Sequence, residues 1–247
     1  MKAVTFSFVL GLFALTANAD DLFVDGKPAH YVQYAHLAPS SSVGGYPIYQ
    51  GDGDWRVIDV VPSQTHAVSG DAESIKMGIA GFLQPALQGG DLASMWVRVN
   101  LTTTGVNQYM TGSPCGGAHL VAVNHIAARD DNCMTIDVAT PSAAGKGVSH
   151  FWIRITQNRS AGRSYHMDLR LNAGAFGFAN TVPADWSTEA LGAAPARKAF
   201  IENLQQWAVL LQNGANRALE FGKPMDAFSK VPPLSSLLPP SQALATQ

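Results

Sequence analysis

The stretch from Ser149 to Asn172, SHFWIRITQNRSAGRSYHMDLRLN, constrains the fold most, because its two alternating halves close onto each other in one register. Placing Phe151 opposite Leu171 sets Ile153 against Leu169 and Ile155 against Met167 on one face. The same register sets Trp152, Arg154 and Thr156 against Arg170, Asp168 and His166 on the other face. Ala161 then lies at the middle of the connection between Ser160 and Gly162. That suits a three-residue hairpin loop in which the glycine supplies a positive φ. The prediction is an antiparallel hairpin with one apolar face and one polar face.

The segments before it carry the same signature. Trp55 to Val61 reads as a β-branched strand stopped by Pro62. Ile75 to Leu83 has both helical and alternating spacing, but Gly78 and Gly81 weaken a helix, so a strand is favoured. Ser94 to Thr103 reads as a strand, and Leu120 to Ile126 pairs with Met134 to Val138 across Ala128 to Asn132. A short strand is expected around His30 to Tyr34, followed by a long loop. Gly174 to Phe178 is either one more short strand or the exit from the sheet. The count is about seven or eight strands, which predicts a mainly β chain built as an antiparallel β-sandwich or a partly closed barrel.

After Asp185 the period changes. Phe200, Leu204, Trp207, Leu211, Ala215, Ala218 and Gly222 recur every three or four residues and form one apolar stripe on a long amphipathic helix. Pro195 suits its first turn, and Gly222 followed by Pro224 suits its end. Ala196 to Phe221 would run about 39 Å, enough to cross a sheet face. The expected organisation is a signal peptide over 1–19, a β domain over 20–184, a helical segment packed on the sheet over 185–230, and a Pro-rich extended or disordered tail over 231–247.

The leader assignment rests on Lys2, the apolar run that follows it, and small residues Ala17 and Ala19 around Asn18. It predicts an exported protein, periplasmic or secreted, with no transmembrane segment in the mature chain. Loss of Lys2 with the leader leaves 15 basic against 18 acidic residues, so nothing draws the chain to nucleic acid in general. Two cysteines, Cys115 and Cys133, are expected to be bridged in an oxidising compartment.

One internal echo singles out candidate site residues. Met95-Trp96-Val97-Arg98-Val99 matches Phe151-Trp152-Ile153-Arg154-Ile155 in residue type. In each strand the Trp and Arg share a face, where guanidinium can stack on indole. Trp96, Arg98, Trp152 and Arg154 are therefore the expected ligand-binding set, suited to a protein partner, a glycan or an anionic ligand of the cell envelope. Asp137 and Asp168 are expected on the partner strands, with Asp168 paired to Arg154.

The common catalytic motifs are absent. There is no G-x-S-x-G, H-E-x-x-H, Walker loop, G-x-G-x-x-G after a strand, or S-x-x-K. His119 and His125 stand too far apart along one strand to hold a metal unaided, so neither metal nor cofactor is expected. Two enzyme alternatives remain open. Two of Asp52, Asp54, Asp59, Asp137 and Asp168 could meet as a hydrolase pair, or Ser113 or Cys115 could act with His119. The reading favoured by the sequence is an exported, non-enzymatic binding, inhibitor or envelope-assembly protein, with a secreted hydrolase as the alternative.

Overall fold

The computed structural model describes residues 21–51, 53–65, 75–86, 90–102, 115–127, 130–139, 149–159, 163–220 and 222–239. In it the organising hairpin has the predicted register. Strands β10 (His150–Asn158) and β11 (Ser164–Asn172) pair Phe151 with Leu171, Ile153 with Leu169 and Arg154 with Asp168. The leader read over 1–19, the connection at Ala161 and residues 240–247 of the tail lie outside the described residues.

Around this hairpin the protein is mainly β, with an antiparallel seven-stranded sheet, two small sheets and one long C-terminal helix. The other strands of the large sheet are β5 (Arg56–Thr65), β6 (Ile75–Pro85), β7 (Asp91–Asn100), β8 (Val121–Ala127) and β9 (Asp130–Ala139). Their spatial order is β5-β6-β7-β11-β10-β9-β8. Two meanders, β5 to β7 and β8 to β11, are thus joined where β7 pairs antiparallel with β11. The sheet stops at edges β5 and β8 and does not close into a barrel.

Alternation sorts the strands into two faces. Met95, Val97, Val99, Phe151, Ile153, Met167, Leu169 and Leu171 point inward and are almost completely buried. A mixed second layer covers them. It contains β3 (Ser42–Val43) paired with β4 (Tyr46–Pro47), the segment through Tyr49, and helix α2 (Pro195–Ala218), which lies against β9 and β10. A further two-stranded sheet, β1 (Phe23–Val24) with β2 (Lys27–Pro28), adds Leu22 and Phe23 to the same core.

Helix α2 buries Leu204, Trp207, Leu211, Ala215 and Ala218 of the predicted stripe and leaves Phe200 half-buried. It runs unbroken through Asn213-Gly214 and ends at Ala218, ahead of the predicted stop. A short helix, α1 (Thr188–Gly192), precedes it and is capped by the Ser187 hydroxyl, which accepts from the Ala190 amide.

Three local expectations change, and one open choice closes. Pro62 does not stop β5, because β5 is an edge strand with one ladder to satisfy, and a missing N–H on its open side costs nothing. Residues 30–34 are not a strand; instead Tyr34 donates its amide to the Val57 carbonyl and Val57 donates to that of Ala35, so this segment covers the β5 edge. In the β8–β9 hairpin, pairing continues to Ala127 and Asp130, so Asp130 to Asn132 belong to the strand and not to the turn. Gly174 to Phe178 is the exit from the sheet, beginning as a short 3-10 turn over Ala173–Phe176.

The tail also differs from its expected extended form. Val231 and Leu234 are buried, and the Pro232 carbonyl accepts from both the Tyr49 hydroxyl at 2.9 Å and the Trp207 indole at 2.8 Å. The prolines leave carbonyls without adjacent N–H competitors, and the core supplies the donors.

Candidate functional site

The face of the sheet turned away from α2 carries every residue of the Trp/Arg set. Register places these side chains in rows across the strands. One row holds Trp96, Asp168, Arg154 and Thr135; the row on one side holds Ser94, Arg170, Trp152 and Asp137, and that on the other Arg98, His166, Thr156 and Cys133. The two Trp-Arg pairs therefore flank β11 on the same face. They are staggered by two residues, since Trp96 lies level with Arg154 and not with Trp152.

Each indole has its own support. Gly81 is the direct partner of Trp96, and a Cβ at Gly81 would meet the benzo ring at 2.8 Å, so the glycine makes room for the indole to lie on the strand. Trp152 is held by three side chains. Its Nε1–H donates to Asp168 Oδ1 at 3.2 Å, and the guanidiniums of Arg154 and Arg170 stack on the ring at 4.4 and 4.9 Å. Arg154 also donates from Nη2 to Asp137 Oδ2 at 2.9 Å. The expected Arg154–Asp168 ion pair is therefore not the one formed: Asp168 serves the indole, and Arg154 turns to β9.

Asp137 is the most heavily used carboxylate of the face. Besides Arg154 it meets His119 Nδ1, 3.0 Å from each oxygen, while His119 Nε2 lies 3.1 Å from the Gly116 carbonyl. Both ring nitrogens thus face acceptor oxygens, and the ring is oriented by contacts at both ends. The Cys115–Cys133 disulfide forms as expected, with the Cα atoms 5.7 Å apart, and fixes the segment leading to His119 over β9. Sequence reasoning gave both His119 and Asp137 as candidates without connecting them. Their contact spans a loop whose path the disulfide sets.

His166 faces Arg98 across β7–β11. Its Nε2 is buried without a hydrogen-bond partner, and burial together with the Arg98 charge pushes its pKa down to about 4. The other candidate carboxylates are dispersed. Asp59 accepts from the Tyr31 hydroxyl, and Asp54 is held by His36 and Arg56 at the β5 edge. Asp52, Ser113 and the side chain of His125 lie outside the described residues. Among the described residues no group of three His, Cys, Asp or Glu side chains converges as a metal site, and no helix is long and apolar enough to cross a membrane.

Beside the end of β9 lies a cleft of about 430 Å³. His119, Leu120, Asp137 and Val138 form one wall, and Pro183 and Trp186 to Glu189 form the other. No family model, curated protein or solved structure matches the chain.

Proposed function

We propose that the protein is an exported, non-enzymatic binding protein whose outer sheet face takes an acidic partner of the cell envelope. Export is supported by the leader-like first residues and by a disulfide, a bond that persists in oxidising compartments. One observation carries the choice of partner. Arg98 and Arg170 are exposed cations that form no ion pair among the described residues, while Asp137 and Asp168 beside them are already engaged by Arg154, His119 and Trp152. The face therefore sets exposed guanidinium groups that form no ion pair among the described residues beside the apolar surface of Trp96 and Ile79.

A glycan is the weaker occupant for Trp152, because two guanidiniums already use the ring against which a sugar would stack. Hydrolysis is likewise the weaker reading. The His119–Asp137 pair resembles half of a catalytic relay, but Cys115, one of the two nucleophiles considered for it, is held in the disulfide.

The test is calorimetric titration with a hexaglutamate peptide, with hexalysine as the control, at low and at high salt. Wild-type protein binds hexaglutamate alone, with an affinity that falls as salt rises. The double variant Arg98→Glu/Arg170→Glu changes only exposed side chains and binds at least tenfold more weakly. Equal affinity for the two peptides, or no loss in the double variant, overturns the proposal.

A further inference from the structure

We infer that the partner of the outer face is a uronate-containing saccharide, with its ring on Trp96, its carboxylate on Arg98 and a hydroxyl group on Asp59, which rests on the reading of that face as a site for an acidic partner. Trp96 lies flat on the sheet. A Cβ at Gly81 would meet three successive atoms of its benzo ring, Cζ2, Cη2 and Cζ3, at 2.8–2.9 Å. An edge-on ring would bring the middle atom clearly closer than its neighbours, so the indole is face-down on β6. Its other face is turned away from the sheet, and Trp96 is only half-buried.

That ring is unclaimed, in contrast to Trp152. Among the described residues no guanidinium stacks on Trp96 and nothing accepts from its Nε1–H, whereas Trp152 has Arg154 and Arg170 on its ring and Asp168 on its nitrogen. Two groups flank it on the same face. Arg98 follows two residues along β7, about 7 Å away at the backbone. It is exposed and forms no ion pair among the described residues. Asp59 stands in the row of Trp96, one strand beyond Gly81. Its Oδ1 accepts from the Tyr31 hydroxyl and the Val60 amide, and its Oδ2 has no partner among the described residues.

The order of these groups selects the ligand. A cation, an open ring face and a carboxylate oxygen follow one another across the sheet. A uronate sugar has the matching order: a carboxylate for the guanidinium, a patch of C–H bonds for the negative face of the indole, and hydroxyl groups on the far side of the ring that donate to Asp59. A glutamate side chain would satisfy Arg98 but carries neither ring nor hydroxyl. A nucleotide carries its sugar hydroxyls between the phosphate and the base, which is the wrong order. A neutral sugar would leave Arg98 without a counter-charge.

The test is calorimetric titration with trigalacturonate and with its fully methyl-esterified form, which keeps the rings and removes the charge. Trigalacturonate binds, and the ester binds at least tenfold more weakly. Trp96→Leu and Asp59→Asn each weaken trigalacturonate at least fivefold and leave hexaglutamate close to its wild-type affinity. Arg98→Gln weakens both and brings trigalacturonate down to the level of the ester. A reading on the wild-type fold comes from the Trp96 indole N–H resonance, identified by its loss in Trp96→Phe, which shifts saturably as trigalacturonate is added. Hexaglutamate binding without trigalacturonate binding overturns this inference and leaves the wider acidic reading standing. Equal affinity for trigalacturonate and its ester, or an unmoved Trp96 resonance, overturns it as well. Trigalacturonate binding without hexaglutamate binding supports it and removes the wider reading, and binding of neither ligand overturns both.

Discussion

Arg154 donates to Asp137 on β9, although Asp168 stands directly opposite it in the β10–β11 hairpin. The reason is the indole between them. Trp152 claims Asp168 through its N–H, and stacking on Trp152 carries the Arg154 guanidinium toward β9. Both members of the ion pair are partly exposed, so its coupling is modest, about 0.5–1 kcal/mol. Double-mutant cycles in urea should give that value for Arg154→Ala with Asp137→Ala, and close to zero for Arg154→Ala with Asp168→Ala. A coupling to Asp168 as large as that to Asp137 would place the ion pair on the wrong strand.

The Cys115–Cys133 bridge closes a loop with a sequence separation of 18, which by chain entropy stabilises the fold by about 3 kcal/mol. Replacing both cysteines by serine should lower the urea midpoint accordingly without changing the far-ultraviolet spectrum. The local effect should exceed the global one. Amide exchange at Gly116 to Leu120 should rise most, because the bridge holds His119 against Asp137. Uniform loss of protection across the sheet would contradict this.

Much of the architecture was legible because strand alternation and helical stripes are properties of neighbours in sequence. The β10–β11 register follows from matching Phe151, Ile153 and Ile155 with Leu171, Leu169 and Met167. The α2 stripe follows from its spacing alone. What escaped depends on tertiary context. Pro62 is permitted by the edge position of β5, and the residues after Val231 are ordered by donors from Tyr49 and Trp207, distant in sequence. At the site, register put Trp96, Arg98, Trp152 and Arg154 on one face. The choice of Asp137 over Asp168 depended on side-chain direction, which alternation does not encode. The cleft escaped entirely, since Trp186 and Glu189 sit on the link between sheet and helix, where no period applies.

Gly214 provides a test of sign. In the middle of α2, replacing glycine by alanine would ordinarily stabilise a helix by about 1 kcal/mol. Here an added Cβ would run into the Phe228 ring, which is buried against Tyr49 and Tyr165. The clash should prevail, because a packed ring cannot move aside without disturbing its neighbours, and such overpacking costs about 1–3 kcal/mol. Gly214→Ala is therefore expected to lower the Tm. A higher Tm would show that Phe228 gives way freely and that the segment after α2 is more loosely docked than its contacts indicate.

His166 should make stability depend on pH in a defined window. Its Nε2 is buried, and its pKa in the folded protein is about 4, against 6.5 for an unperturbed imidazole. Burial is the main cause, and the Arg98 charge opposite adds to it. Above pH 6.5 the ring is neutral in both states, and the folded protein pays no penalty. As pH falls below 6.5 the unfolded chain takes up a proton that the folded chain refuses, so stability declines until about pH 4, where both are protonated. The full shift corresponds to about 3 kcal/mol, an upper value because part of the ring remains open to solvent. His166→Gln should remove this component, so that the difference in stability between wild type and variant changes across pH 4 to 6.5 and is flat above it. Arg98→Gln should move the midpoint upward, since it removes the second cause while leaving the first. An imidazole in wild-type protein that titrates near 6.5 by NMR would mean that water reaches Nε2 and that the outer face is open at its centre.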